Sequence, residues 1–321
     1  MASLIRCAAV AALALHTGVL AKPIDRTSVY NPIIDDLVGF DETLVVTSDK
    51  TLSRREEPII PSTHHITSGN VVRSEYPIAT PYTPDAGQLI EVVKRFIVGT
   101  TDDRHRWSVS EFPFHSVGRL VWANGIFCSG ALVGPRHVLT ARHCIPEEGS
   151  VSGTFAPGYD GGERFGHAAI THVLKTDGEQ PGSCETKADW AILVLDQKLG
   201  DELGYFGVKV PDASLFDKPA LYHLGYPGDK DGGSTPQRII DVTVHSSNSL
   251  DCDATGPVYS DADTSGGQSG GPLWELDGNM DRWIWGALSI GVSWGEGLGY
   301  SGFASGAQMV DAVNMARRDF P

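Results

Sequence analysis

Short hydrophobic runs, separated by glycine, proline and asparagine, follow one another along the chain between residues 107 and 304. The runs favour β-strands, and no helical pattern lies between them. Many short strands joined by turns are typical of an all-β sandwich or of β-barrels. The strands predicted from these runs cover residues 118–122, 126–133, 138–141, 168–174, 191–195, 220–224, 239–244, 271–275 and 284–292.

The end of the chain has a different pattern. Apolar residues recur at helical spacing from Met309 to Phe320, which predicts an amphipathic helix packed on the β-structure. Ser305, with Gln308 three positions later, has the composition of an N-terminal cap. We therefore expect a helix over residues 305–319.

Residues 22–95 differ from both of these regions. They are rich in proline, lack cysteine and show little sustained periodicity, so this stretch would have difficulty burying a core of its own. The basic pairs Arg54-Arg55 and Lys94-Arg95 offer sites for a processing protease. We predict a propeptide over residues 22–95, cut at Lys94-Arg95, with a mature chain that starts near Phe96. The alternative is an extension that stays attached.

The first 21 residues have the layout of a secretory signal peptide. Arg6 precedes an apolar run over residues 7–20, and small or modest residues precede Lys22. A membrane anchor, the alternative, needs about 20 apolar residues, whereas this run is shorter and contains His16 and Thr17. The pattern predicts a secreted, extracellular protein without a membrane anchor.

Composition limits the possible partners. A hydrophobic content of 41% suits a soluble globular protein, and we expect a monomer. The formal net charge is −15, and no basic cluster interrupts the acidic surface. This charge argues against nucleic acid or an anionic membrane as a partner.

Cysteine and histidine spacing bears on disulfides and metals. Removal of residues 1–21 discards Cys7 and leaves four of the five cysteines, an even number that in an oxidising compartment predicts two disulfides with three possible pairings. Zinc is not expected, because no Cys-x-x-Cys or His-x-x-x-His spacing is present. The pair His64-His65 fits an exposed loop better than a metal site. No metal and no cofactor are therefore predicted.

A glycine-rich stretch around Ser269, residues 264–274, is the strongest candidate for chemistry. Serine becomes a nucleophile when a neighbouring base takes its proton and when hydrogen-bond donors await the oxyanion. Flanking glycines allow the sharp turn that would bring the amides of Gly267 and Ser269 to a reacting carbonyl. The alternative is a glycine-rich turn between two strands, and Ser269 alone does not decide between them.

A base and its orienting acid can be identified upstream. His143 ends an apolar run, and Asp189 opens another. A carboxylate that binds one ring N–H fixes the histidine tautomer and leaves the other nitrogen free to accept the serine proton. No histidine follows His245, which excludes the α/β-hydrolase order, in which the acid and the histidine follow the serine. The order His143, Asp189, Ser269 is that of the chymotrypsin-type triad.

Three segments around these residues resemble the signature segments of chymotrypsin-like (trypsin-like) serine proteases. The resemblance covers roughly residues 96–321 and implies an enzyme that acts on protein or peptide substrates. It also implies His143 as general base and acid, Asp189 as its orienter and Ser269 as nucleophile. The three segments are Thr-Ala-Arg-His-Cys (residues 140–144), Asp-Trp-Ala-Ile-Leu (residues 189–193) and Gly-Gln-Ser-Gly-Gly-Pro (residues 267–272).

The resemblance also implies an architecture. Two six-stranded antiparallel β-barrels, roughly residues 107–205 and 206–304, would precede a C-terminal helix packed on the second barrel. The site would lie in the cleft between the barrels, with the histidine and aspartate from the first barrel and the serine from the second. Within the family, the chain looks most similar to the glutamyl endopeptidase (V8-like) branch, because residues 96–104 and Gln268 resemble that branch.

Disulfide pairing follows from the same resemblance. It implies a bridge between Cys128 and Cys144, next to the histidine. The second bridge would then join Cys184 and Cys252.

The candidate substrate-binding residues support two different P1 preferences. Asp263 matches the position at which trypsin-like members carry the aspartate that binds lysine or arginine, and a buried carboxylate would select a cationic side chain. Residues 293–295, Ser293, Trp294 and Gly295, resemble the strand that lines the primary pocket. Thr264 instead matches a threonine of the glutamyl branch, although that branch usually carries a histidine where this chain has Ser293. The P1 preference, Arg/Lys or Glu, stays open.

Gln268 has a separate consequence. In trypsin and its relatives, an aspartate at this position binds the freed N-terminal amine and so sets up the oxyanion hole. Gln268 is uncharged and cannot form that ion pair. Processing would therefore activate the enzyme in one of two ways: it removes a propeptide that covers the cleft, or it creates a new terminus that joins the pocket.

Three functions are compatible with the sequence. The leading hypothesis is a secreted endopeptidase that acts through an acyl-enzyme and is made as a proenzyme. The rival hypothesis is a catalytically silent homologue that acts as a binding module; such proteins often lose a triad residue, whereas this chain keeps all three. An esterase that uses the same triad is the third possibility.

The proenzyme hypothesis makes a direct prediction. We expect the full-length, uncleaved chain to hydrolyse peptides more slowly than the processed chain that starts near Phe96. In the uncleaved chain, either the propeptide covers the cleft or the new terminus that would join the pocket has not been formed. Peptide hydrolysis by the two forms, compared at equal concentration, measures this difference. Equal rates would refute the hypothesis.

Overall fold

The computed structural model describes residues 58–67, 78–82, 102–146, 151–177, 182–247, 249–295 and 298–321, all within one compact unit. Strands predominate among these residues. The strands are β1 (Ser62–Ile66), β2 (Ile78–Ala79), β3 (His105–Arg106), β4 (Val117–Trp122), β5 (Phe127–Gly134), β6 (His137–Thr140), β7 (Gly153–Pro157), β8 (Ala168–Thr176), β9 (Ala191–Leu195), β10 (Gly207–Lys209), β11 (Pro219–Gly225), β12 (Gln237–Thr243), β13 (Val258–Ser260), β14 (Pro272–Leu276), β15 (Arg282–Gly295) and β16 (Leu298–Ser305). The helices are α1 (Ser183–Ala188), α2 (Leu199–Leu203) and α3 (Ala307–Asp319).

The first sheet closes into an antiparallel barrel. Six strands follow the order β8-β7-β4-β5-β6-β9, and pairing of β9 with β8 completes the ring. Alternate side chains point into a closed barrel and fill it. The fully buried interior includes Leu120, Leu132, Phe155, Ile170 and Leu193.

The second sheet follows the order β13-β16-β15-β14-β11-β12. A β-bridge between Val244, just after β12, and Ser260 in β13 joins the two ends of this path. Its core is built on the fully buried Leu221, Trp285 and Phe303. The predicted all-β class with two six-stranded barrels and a C-terminal helix is confirmed.

Strands β3, β7, β10, β13 and β16 were not predicted, because their sequences lack a hydrophobic run. Strand β16 reads Leu-Gly-Tyr-Ser-Gly-Phe-Ala-Ser. Its small residues are required by close packing: a Cβ added at Gly302 would lie 2.8 Å from Ile290 Cγ1 and 2.9 Å from the Tyr259 ring. Packing against neighbouring strands, rather than local propensity, therefore selects these residues.

Helix α3 buries its apolar face, as predicted, but it packs on β6 and β9 of the first barrel as well as on β10 of the second sheet. Met309 and Val313 are fully buried. The predicted cap is wrong, however: the helix begins after Gly306, with no side-chain cap, and Ser305 is the last residue of β16. Ser305 pairs with Gly286 in the sheet, so strand β16 continues through the residue at which the helix was predicted to begin.

Two segments before residue 96 belong to this fold. Strand β1 runs parallel to β8, and Ile66 is buried in the core. Strand β2 pairs with β10, and Ala79 is fully buried. Neither strand was predicted, because each is buried only by packing against a strand of the barrels and has no hydrophobic run of its own. The described residues do not include residues 1–57, the pair Lys94-Arg95 or Phe96. The signal peptide and the cleavage site therefore stay predictions.

Side chains of α3 hold the segment that contains β2. Asn314 Nδ2 donates to Ile78 O over 3.0 Å, and Arg317 Nη1 donates to Thr80 O over 2.8 Å. The pair His64-His65, predicted as a loop, lies in β1, because pairing with β8 satisfies its main chain. His64 Nε2 lies 3.1 Å from His172 Nδ1. Among the described helices, none combines the length and apolar character that a membrane span requires.

His137 couples strand β6 to helix α3. Its ring is fully buried, and Nε2 donates to Phe320 O over 3.1 Å. Burial lowers the pKa of His137 to about 4, and the charge of Arg317 acts in the same direction. The ring is therefore neutral in the folded protein at neutral pH.

We expect His137 to make folding pH-dependent. Its pKa is about 6.5 when unfolded and lower when folded, so the unfolded chain binds more protons and stability is lost as the pH falls from about 6.5 to 4. Between pH 7 and pH 4, the free energy of unfolding should fall by about 3 kcal/mol more in the wild type than in His137→Gln, whose amide keeps the donor but does not titrate. Urea unfolding at several pH values measures this difference, and parallel curves would contradict it.

Candidate active site

Asp189 lies two residues before the start of β9 and accepts hydrogen bonds from three donors. Its Oδ1 accepts from the main-chain N–H of His143 at 2.9 Å, and Oδ2 lies 2.7 Å from His143 Nδ1. Ser289 Oγ donates to the same Oδ2 over 2.6 Å. Since a carboxylate only accepts, Nδ1 carries a ring proton, and in the neutral ring Nε2 is then the acceptor. The side chain of Asp189 is buried, whereas that of His143 is 35% exposed.

A short 3-10 turn, Arg142–Cys144, places His143 at the end of β6. Cys144 is bonded to Cys128 in β5, so the turn is tied to the neighbouring strand. A second disulfide joins Cys184 in α1 to Cys252, which precedes β13. Since α1 ends beside Asp189, this bridge connects the segment that delivers the carboxylate to the second barrel. Both implied pairings are present.

The loop that carries Ser269 is built around two glycines with positive φ. Gly267 has φ +95° and Gly270 has φ +80°, values that non-glycine residues rarely adopt. A Cβ added at Gly270 would overlap Thr140 Oγ1 and would lie 2.8 Å from Ala141 N. The loop therefore packs directly against the end of β6, one residue before the turn that carries His143.

Ser129 in β5 anchors the same loop twice. Its N–H donates to Ser269 O over 2.8 Å, and its Oγ donates to Gly267 O over 2.8 Å. Within the described residues, the amides of Gly267 and Ser269 donate to no main-chain carbonyl. The carbonyl groups of Gly267 and Ser269 are therefore held against β5. Ser269 itself is buried, at 3% exposure.

Two of the candidate substrate-binding residues, Asp263 and Thr264, have hydrogen-bond partners in the structure. Asp263 Oδ2 accepts the main-chain N–H of Asp103 at 2.7 Å, and burial raises the pKa of Asp263. Thr264 Oγ1 lies 2.6 Å from Ser301 Oγ. Ser301 pairs with Gly291 in β15, two residues before Ser293.

Ser293, Trp294 and Gly295 end strand β15, and Ser293 and Gly295 pair with the start of β16. Their side chains lie outside the described residues. No group of three or more histidine, cysteine, aspartate or glutamate side chains that could hold a metal ion occurs in the part of the chain that the structure describes.

Sequence patterns did not identify Ser129 or Ser289. Both are serines within strands, and nothing in their local sequence distinguishes them from other small strand residues. Only the assembled fold places Ser289 against Asp189 and Ser129 against the loop. Their roles depend on contacts between residues 100 and 138 positions apart.

The sequence comparisons agree with this geometry. The family model described as trypsin matches residues 100–314. A glutamyl endopeptidase of Bacillus licheniformis is 28% identical over 222 residues, which cover 68% of this chain and 66% of the relative. An extracellular metalloprotease of Bacillus subtilis is 26% identical over 51% of this chain and 57% of its own length. The chain thus spans less than two thirds of the length of both relatives, 66% and 57%.

Solved structures share the fold. A Glu endopeptidase in complex with MPD aligns with a TM-score of 0.54 at 23% identity, covering 69% of this chain and all of that one. Human heparin binding protein aligns with a TM-score of 0.51 at 20% identity, covering 67% of this chain and 96% of its own. At these identities the similarity concerns the fold alone.

The packing around Gly270 predicts a large effect on stability. Gly270→Ala should lower the free energy of unfolding by about 2–5 kcal/mol, because the methyl group meets Thr140 and the main chain at a positive φ. Gly266→Ala is the matched control in the same loop, since nothing lies within 4 Å of a Cβ added there; it should change stability by less than about 0.5 kcal/mol. Denaturant unfolding of both variants measures this, and equal stabilities would contradict the packing argument.

Proposed function

Because the chain belongs to the trypsin family of serine proteases, we propose that it is a secreted serine endopeptidase, made as a proenzyme, that cleaves peptide bonds through an acyl-enzyme at Ser269. The observation that carries the proposal is the buried Asp189 carboxylate hydrogen-bonded to the Nδ1 and the main-chain N–H of His143. This contact fixes the imidazole in the tautomer that a general base requires.

The reaction uses three groups in turn. Ser269 Oγ attacks the substrate carbonyl while His143 Nε2 takes its proton, and the resulting imidazolium is stabilised by Asp189. The amides of Gly267 and Ser269 donate to the oxyanion, and each such donor is worth about 10²–10³ in rate. His143 then protonates the leaving amine, and water attacks the acyl-enzyme by the same route in reverse.

Two P1 preferences are compatible with the site. The half-buried carboxylate of Asp263, with Asp102 and Asp103 near it, would attract an arginine or lysine side chain. The similarity to a glutamyl endopeptidase and the presence of Thr264 support glutamate instead. Asp263 already accepts the Asp103 amide, so one of its oxygens is engaged before any substrate binds. Cleavage-site profiling on a mixed peptide library distinguishes the two.

A binding module without activity is the alternative. Human heparin binding protein shares this fold, but a polyanion such as heparin would be repelled by a chain with a net charge of −15. Retention of all three triad residue types also favours catalysis. An esterase would use the same triad and differ only in substrate, so peptide and ester substrates should be assayed together.

Substitution of the triad gives the decisive test. Ser269→Ala and His143→Ala should each lower kcat on a peptide substrate by about 10⁶, because nucleophile and base act as one unit. His167→Ala is the control, since this exposed ring pairs with Glu163 on the surface and its loss should leave kcat unchanged. Rates are measured on secreted, processed protein.

A fluorophosphonate probe separates the enzyme from the binding module. The processed wild type should be labelled at Ser269, and Ser269→Ala should not be labelled. Correctly processed wild type that neither takes the label nor hydrolyses peptides or esters would refute catalysis and support the binding module.

A further inference from the structure

Arg104 is a nearly buried cation in the segment that leads into β3. Its side chain is 8% exposed. The Nε and Nη2 atoms donate to the carboxylate of Asp102 over 3.0 Å, and Nη1 and Nη2 donate to that of Asp229 over 2.9 and 2.7 Å. Nη1 also donates to Gln268 Oε1 over 3.2 Å. The guanidinium therefore contacts the residue directly before Ser269.

The charges around Arg104 favour its position. Burial would raise the pKa of Asp102, but hydrogen bonds from Arg104 and Lys230 outweigh burial and hold that pKa well below its usual value. The same donor keeps the pKa of Asp229 low against the effect of burial. Two ionised carboxylates therefore surround one guanidinium, and neither belongs to the loop that carries Ser269.

Gln268 can take only one orientation in this network. Its Oε1 accepts from Arg104 and from the main-chain N–H of Ser265 at 2.9 Å. Its Nε2 lies 3.1 Å from Nε2 of the fully buried His223, and His223 Nδ1 lies 3.0 Å from Pro272 O. A carbonyl accepts, so Nδ1 is the ring donor and Nε2 accepts from the Gln268 amide. Burial lowers the pKa of His223 to about 4, which keeps the ring neutral.

These contacts form a directional chain of donors. It runs from Arg104 to Gln268, from Gln268 to His223, and from His223 to the carbonyl of Pro272. Its contacts begin at Ser265 and end at Pro272, so the segment they enclose includes Ser269 and both proposed oxyanion amides. A second tie, from Gly228 N to Gly266 O at 2.7 Å, joins the Asp229 segment to the same loop.

An ordinary surface ion pair would not explain this arrangement. Exposed pairs contribute about 0–1 kcal/mol and have no directional consequence. Here the cation is nearly buried, its charge is balanced by two carboxylates outside the loop, and one donor is directed at a neutral amide. A neutral amide forms no ion pair, and in this structure its oxygen accepts a hydrogen bond from the guanidinium.

We propose that Arg104 is a positioning residue for the proposed peptidase reaction: its guanidinium, rather than a new chain terminus, holds Gln268 and through it the loop that presents Ser269 and the oxyanion amides. The proposal rests on the proposed function. The loop then keeps its conformation whenever residues 102–104 pack in this position. Processing would therefore act by uncovering the cleft, which is one of the two roles that the sequence leaves open.

The test compares Arg104→Ala with Arg106→Ala in processed protein. Arg106 lies two residues further on and is 62% exposed, and it pairs with Asp160, away from the loop. Arg104→Ala should lower kcat about 10- to 100-fold with a smaller change in KM, because a small displacement of the loop costs up to about 10²-fold in rate. Arg106→Ala should stay within about 2-fold of the wild type. Millimolar guanidinium chloride, but not sodium chloride, should restore part of the lost kcat.

Gln268→Leu provides a second variant, which leaves the ion pairs of Arg104 intact. Arg104 keeps both of its aspartates, while the contact to the loop is removed. Its kcat should fall by a similar factor, and the double variant should be no slower than the slower single variant, because both substitutions break one chain of contacts. A Gln268→Leu enzyme with the wild-type kcat would overturn the proposal, even if Arg104→Ala fails to fold.

Extension of the terminus separates the two candidate cations. Processed chains that carry two additional residues before Phe96 should keep kcat within about 3-fold, since Arg104 supplies the contact. Large loss on extension, with Arg104→Ala no slower than Arg106→Ala, would assign the role to the terminal amine and overturn the proposal. A wild type that is inactive and unlabelled by fluorophosphonate would instead refute the proposed function.

Discussion

The carboxylate of Asp189 is the point at which the two barrels constrain each other. It accepts two hydrogen bonds from His143 in the first barrel and one from Ser289 in the second. A buried carboxylate left unpaired costs several kcal/mol, so the docking of the barrels must keep these donors in place. The disulfide between Cys184 and Cys252 adds a covalent tie between the same two regions.

Close packing supplies the second constraint on the site. The loop of Ser269 fits against β6 only because Gly270 has no side chain, and Ser129 fixes the carbonyls on either side of Gln268. The segments before residue 96 depend on the barrels in a comparable way. Strands β1 and β2 have too little apolar sequence for a core, and they are ordered by pairing with β8 and β10.

The fold class was predictable because its main strands are written as hydrophobic runs. The runs around Leu132 and Leu193 predict strands from local composition, and the structure contains them. Strand β16 was not predictable, since its glycines and serines are chosen by neighbours such as Ile290 and Tyr259. The helix cap at Ser305 was mispredicted because pairing in the sheet outweighs a local capping preference.

The sequence alone determined the residue types of the site, their order and the family they resemble, because nucleophile, base and orienting acid each lie in a recognisable local segment. Only the tertiary structure decided what supports them. Ser289 and Arg104 contact residues 100 and 164 positions away, and no local pattern encodes a hydrogen bond over such a separation. These contacts exist because two closed barrels and the segments packed on them bring distant strand ends together.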